Sequence, residues 1–176
     1  MIQNTFFSLE AYHHDLEDLF ARHQAAVVEK HFAEAFTLLK HYRSALECHA
    51  QEEEQELFPI LHAFAGVPPG GSVEQFKAEH KKLFELFDAV EKRFQEAAAN
   101  ASPAPLIALI EEEARYKGLY EHHVMREHNV LFPMLDRVLG DTERARVLAN
   151  CTMRVADTGE SLVPRPKGHD AIVLAK

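Results

Sequence analysis

The sequence predicts an all-α protein: an up-down four-helix bundle of two duplicated α-hairpins, followed by a short C-terminal helix and an irregular tail. Three observations predict it. Apolar residues recur with a helical period along most of the chain, with little of the β-branched alternation that marks strands. Glycine and proline cluster in a few places, chiefly GVPPGG at 66–71, NASPAP at 100–105 and Gly140-Asp141. The chain also repeats itself: His49-x-x-x-Glu53 followed by Leu57-Phe58-Pro59-Ile60-Leu61 returns, at identical offsets, as His123-x-x-x-Glu127 followed by Leu131-Phe132-Pro133-Met134-Leu135.

The first helix covers about residues 6–29 and the second about 32–64. A single rod from Phe6 to Phe64 is too long for a globular helix, so a turn is required near Lys30-His31, although neither glycine nor proline marks it. GVPPGG ends the second helix and opens the third, over about 72–98; NASPAP separates that from the fourth, over about 104–139. Gly140 reads as the glycine that follows a helix, and Asp141 starts a fifth, short helix over about 141–152. The remainder, with Pro164, Pro166 and Gly168, reads as an irregular tail, so residues 1–157 form one domain and 158–176 its tail.

Composition narrows the function. The chain has 176 residues, room for one domain, and 47% hydrophobic residues, which argues against disorder. No apolar run approaches the roughly 18 residues of a membrane-spanning helix. A net charge of −9 without a Lys/Arg stripe disfavours nucleic acid as a partner. Two cysteines, Cys48 and Cys151, cannot build a disulfide framework and suit a reducing cytoplasmic setting. The abnormal count is twelve histidines, scattered rather than gathered in a tag.

Their placement on the helices is informative. At roughly 100° per residue, Leu9, Leu16, Phe20 and Val27 all fall within about 60° of His13, whereas His14 points to the polar side. The same test puts Phe76, Phe84, Phe87 and Phe94 around His80. It puts Tyr42, Leu46, Leu57 and Ile60 around His49 and Glu53, with Phe58 off to the side. Leu109, Tyr116, Tyr120, Leu131 and Met134 surround His123 and Glu127, with His122 facing outward. One histidine on an apolar face is usually a core residue with a hydrogen-bond partner; one on each of four helices is a pattern. Glu53 and Glu127 sharpen it, because a buried carboxylate costs several kcal/mol unless it is paired or bound to metal. No Lys or Arg lies on these inner faces.

Depth is an independent test, since residues equidistant from a turn lie at one height in an up-down bundle. His13 and His49 are centred on residue 31, Glu53 and His80 on the GVPPGG turn, and His80 and His123 on NASPAP. The six side chains His13, His49, Glu53, His80, His123 and Glu127 are therefore expected in one layer, as metal ligands. The absence of thiolate argues against a cysteine-type zinc site. Six donors exceed what one tetrahedral ion needs, and imidazole with carboxylate suits iron, manganese or zinc. The best match is two Fe ions, bridged by both carboxylates and by an oxo or hydroxo group, each keeping roughly one open position.

This pattern resembles the hemerythrin-like (HHE cation-binding) domain family, over roughly residues 6–139. The resemblance implies a four-helix bundle with a non-haem di-iron centre that binds O2 or related diatomics such as NO, with the four histidines as terminal ligands and the two glutamates as bridges. Phe84 stands where oxygen-carrying members have a further histidine, and Glu127 follows its histidine by four residues rather than five. The chain thus resembles the four-His, two-Glu variant of iron-sensing and iron–sulfur-repair members.

Four further residues are candidates to support the ligands. Tyr42 and Tyr116 each precede their helix's ligand histidine by seven residues and point inward; core hydroxyl pairing is the simpler reading. His23 lies inward on the first helix. Glu56 either accepts a hydrogen bond from a ligand imidazole or lines the mouth of the site. His31, His41, His62, His122, His128 and His169 read as surface residues, as does the EEEQE run apart from Glu53. No catalytic nucleophile–base pair or nucleotide motif is present. Three functions stay open on these grounds: a sensing, binding or storage module for iron and diatomics; a di-iron enzyme acting as an oxidase, on peroxide, on NO or on damaged iron centres; or a structural bundle around zinc.

Overall fold

A computed structural model of the chain describes residues 5–64, 67–68 and 70–151. The expected tail at 158–176, and His169 with it, lies outside the described residues. Among the described residues the chain is helical, without strands. A 3-10 turn at Phe6–Leu9 leads into α1 (Glu10–Val28), which pairs with α2 (Phe32–Glu52); α4 (Val73–Ala99) pairs with α5 (Pro103–Arg126). The second rod continues beyond α2 through a π-helical turn, Glu53–Leu57, into α3 (Phe58–His62). The fourth does the same beyond α5 through Glu127–Leu131 into α6 (Phe132–Val138), and α7 (Asp141–Asn150) follows.

The unmarked turn falls where the length argument requires it. His31 N donates to Ala26 O at 2.8 Å and Lys30 N to Val27 O at 3.0 Å, the double bond of a Schellman C-terminus. Its C′ position is usually glycine; here Lys30 takes it at φ 63°. At the start of α4 the Ser72 hydroxyl accepts from Gln75 N at 3.2 Å, satisfying one of the open donors of the first turn.

The two π turns are the feature that helical periodicity missed. A proline inside an α-helix lacks the N–H it should donate, and its ring clashes with the carbonyl four residues back. Pro59 and Pro133 both sit just beyond a widened turn, in which Phe58 N–H reaches Glu53 O and Phe132 N–H reaches Glu127 O. The extra residue advances the register by one. Leu57, Phe58 and Leu61 are therefore buried while Ile60 is only half-buried, correcting the placement of Phe58 at the side and Ile60 on the inner face.

Two apolar clusters fill the bundle. One, near the Lys30 and Asn100 turns, includes Leu16, Phe20, Leu39, Tyr42, Leu46, Leu83, Phe87 and Tyr116. The other, at the opposite end, includes Phe6, Leu57, Phe58, Leu61, Phe76, Leu131, Phe132 and Leu135, and is closed by Val147 of α7 and by Cys151. Tyr12 donates to Cys151 O at 2.6 Å and Asn150 to Glu56 at 2.9 Å, holding α7 against the bundle. Every rod passes from one cluster to the other at its histidine.

Left-handed backbone costs a non-glycine residue about 1 kcal/mol, so Lys30→Gly is expected to stabilise the fold by up to about that amount. Thermal unfolding checks it; a lower melting temperature shows that Lys30 bears no strain.

Candidate metal centre

The layer between the two clusters is polar. His13, His49, Glu53, His80, His123 and Glu127 are all at most 4% exposed. Their inward atoms crowd together. His13 Nε2 lies 3.3 Å from His49 Nε2 and 2.9 Å from Glu127 Oε2. His80 Nε2 is 3.1 Å from Glu53 Oε2, and His123 Nε2 is 2.6 Å from Glu127 Oε1. His49 Nε2 stands 3.7 Å from Glu53 Oε1. Two sets of donors result, each within 4.8 Å: His13, His49, Glu53 and Glu127, and Glu53, His80, His123 and Glu127. Both contain both glutamates.

Hydrogen bonding accounts for only part of this crowding: His13 Nε2 with His49 Nε2, and His80 Nε2 with Glu53 Oε2. Glu53 Oε1, both oxygens of Glu127 and His123 Nε2 are buried without a correctly oriented hydrogen-bond partner. Buried polar atoms are nearly always satisfied, so several orphans aimed at one point call for another explanation. A cation among them meets every lone pair at once, and an all-imidazole and carboxylate donor set fits non-haem iron. The residues present therefore fit the metal that the sequence pattern calls for.

Outward from this layer, carboxylates hold two of the four rings. His80 Nδ1 is 3.0 Å from Glu54 Oε1, and His123 Nδ1 is 3.1 Å from Glu79 Oε2. Glu79 is ion-paired with Arg126 Nε at 2.8 Å, and Arg126 Nη1 donates to Gly70 O at 3.0 Å. Phe58 stacks on His80 and Phe132 on His13, with ring centroids 5.5 Å and 6.1 Å apart, so the shifted register also walls the site.

The residues expected to support the ligands hydrogen-bond elsewhere. Tyr42 and Tyr116 share a bond between their hydroxyls at 2.7 Å within the apolar cluster. His23 is bonded to Ala35 O at 2.8 Å and to Glu113 at 3.1 Å, further along α1. Glu56 accepts from Asn150 and braces α7. Glu54, expected on a solvated face, instead reaches His80. A carboxylate beside a ligand on the neighbouring rod, Glu54 next to Glu53 or Glu79 next to His80, is the signal that helical faces alone did not use. The histidines expected at the surface are exposed at 31, 41, 62, 122 and 128.

Protonation follows from burial and charge. For His49, burial dominates and pushes the imidazole down to about 4. Burial opposes the proton on His123 too, but the Glu127 carboxylate outweighs it, with Glu79 adding, and lifts it to about 10. His13 and His80 are raised for the same reason, by Glu127 and Glu53 respectively, against the effect of burial. Glu127 is held well below the usual carboxylate range, His123 and His13 overcoming its desolvation.

In the metal-free protein the imidazoles with raised pKa favour the fold fully below their ordinary value near 6.5, and that contribution fades as pH climbs towards the folded-state values. Chelator-treated protein is therefore expected to melt at lower temperature near pH 9.5 than near pH 6.5, with a shallower slope in His123→Gln. Equal or higher melting at the alkaline pH overturns the assignment.

Comparison with known proteins agrees with this geometry. The hemerythrin HHE cation-binding domain matches residues 5–135. The iron-sulfur cluster repair protein YtfE of Edwardsiella ictaluri is 34% identical over 105 residues, 56% of this chain and 44% of that protein. Those of Salmonella paratyphi B and Salmonella newport are 33% identical over 94 residues, 50% of this chain and 40% of theirs. The chain thus spans less than half the length of these curated relatives. No solved structure matches it. Among the described residues no helix is long and apolar enough to cross a membrane. The repeated hairpins and the polar layer they share are those of a known domain, and the chain belongs to the hemerythrin HHE cation-binding family.

Proposed function

We propose that the chain binds a pair of iron ions and, through them, O2 or NO, as a binding, sensing or storage module. The observation that carries this reading is the sharing of Glu53 and Glu127 between the two donor sets. Two carboxylates common to two sets of imidazoles suit a bridged pair and are wasted on a single ion. His13 and His49 hold one position, His80 and His123 the other. A bound iron pair supplies reversible electron transfer and an open position for a diatomic ligand. The protein supplies neutral nitrogen donors, carboxylates that balance cationic charge, and two apolar clusters that keep bulk water from the layer.

A second reading, work on damaged iron centres, is favoured by the relatives named iron-sulfur cluster repair protein, which extend well beyond the part this chain matches. The two readings differ in what happens to the metal. A sensing or storage module keeps its iron on exposure to O2 or NO; a repair protein passes iron to an acceptor protein that has lost its cluster.

Metal analysis with absorption spectra, taken anaerobically and then in air, tests the proposal. About two irons per chain are expected, with spectral changes on admitting air or NO. A single stoichiometric zinc, without those changes, overturns it. Glu53→Ala and His123→Ala are expected to lose metal and to melt at substantially lower temperature, since each strands the remaining buried donors. His14→Ala and His122→Ala, at exposed positions beside the ligands, are expected to keep both metal and stability. Full metal content in Glu53→Ala or His123→Ala removes that residue from the ligand set.

A further inference from the structure

The internal repeat relates the two donor sets, yet their surroundings differ. Both imidazoles of one set have a carboxylate on the outward nitrogen: Glu54 on His80 at 3.0 Å, and Glu79, itself paired with Arg126, on His123 at 3.1 Å. The repeat shows what the other set has in their place. His123 follows His49 by the same offset that carries Glu54 onto His128, and His80 follows His13 by the offset that carries Tyr12 onto Glu79. His128 is exposed and contacts Glu10 instead of a ligand, and Tyr12 donates to Cys151 O. Accordingly His13 Nδ1 is buried with no hydrogen-bond partner among the described residues, and His49 meets no carboxylate there other than Glu53.

A carboxylate on the far nitrogen fixes a ligand imidazole's tautomer and orientation and makes its metal-facing nitrogen more basic; removing such a partner typically costs about ten- to a hundredfold in metal affinity. One set has two of these partners and the other has neither. His13 borders a cavity of about 290 Å³ between α1 and α5, also lined by Glu10, Glu17, Glu121, Met125 and His128. Glu17 and Glu121 are exposed there, so a ligand of the weaker set faces an open, acidic cleft.

We propose that the two cation positions are unequal: the His80/His123 position retains its metal, and the His13/His49 position exchanges it. This rests on the paired-iron reading above. The test is release of Fe(II), under anaerobic conditions and at one pH, from protein loaded with two equivalents and challenged with excess ferrous chelator. One iron is expected to leave at least about tenfold faster than the other. His13→Ala is expected to keep only the slowly released iron, and His80→Ala only the fast one. Glu54→Gln and Glu79→Gln, which alter partly exposed side chains and leave all six donors in place, are expected to accelerate the slow phase without changing the fast one. Two irons leaving at a single rate, or a slow phase indifferent to both Glu→Gln changes, overturn the inequality and leave the iron pair standing. Uptake of only one iron by the unaltered protein overturns the paired reading itself.

Discussion

The structure is organised around two carboxylates that have no business in a dry core unless positive charge comes with them. Glu53 is 2% exposed and Glu127 is fully buried, and no Lys or Arg pairs with either among the described residues. An uncompensated buried carboxylate is among the most costly features a core contains. In the metal-free protein, protons on His13, His80 and His123 provide the compensation, which is why those imidazoles are raised and Glu127 is lowered. Cations do the same work without orphaning lone pairs. Metal binding and stability are therefore one property here, since the same groups that accept the metal otherwise repel or strand one another.

The fold serves this constraint through its two π turns. Such turns recur at functional sites because they re-aim side chains within an otherwise regular rod. In both hairpins the widened turn begins at the carboxylate and ends just before a Phe-Pro pair, so one local device accommodates the proline and swings a phenylalanine onto a ligand imidazole. The apolar clusters on either side then fix the layer's height, because each rod carries buried residues above and below its donors.

Duplication explains the symmetry of the donors but not of their supports. The partners on the outward nitrogens lie at half-exposed positions, where side-chain identity is free to diverge without disturbing the core. Glu79 and Arg126 also connect the site to the turn before α4 through Gly70 O, whereas the equivalent Tyr12 is spent on fastening the C-terminal segment. A protein with an internally repeated site thus presents two chemically different halves.

Much of this was legible in the residues alone. Helical periodicity, the Gly/Pro breaks, the repeat and, at the unmarked Lys30-His31 turn, the limit on helix length determined the four rods. The spacing of His13, His49, Glu53, His80, His123 and Glu127 about the turns determined that they meet, because an antiparallel rod's rise per residue is constant and equal separations from a turn return to equal height. Tertiary structure decided what that reasoning holds fixed. It decided the π register, since a proline's clash is relieved by a wider turn only where the neighbouring rods have room for the bulge. It decided the outer partners as well: Glu54 and Glu79 reach across to histidines on other rods, and contact between rods depends on their rotation about their own axes, which no single helix's periodicity contains.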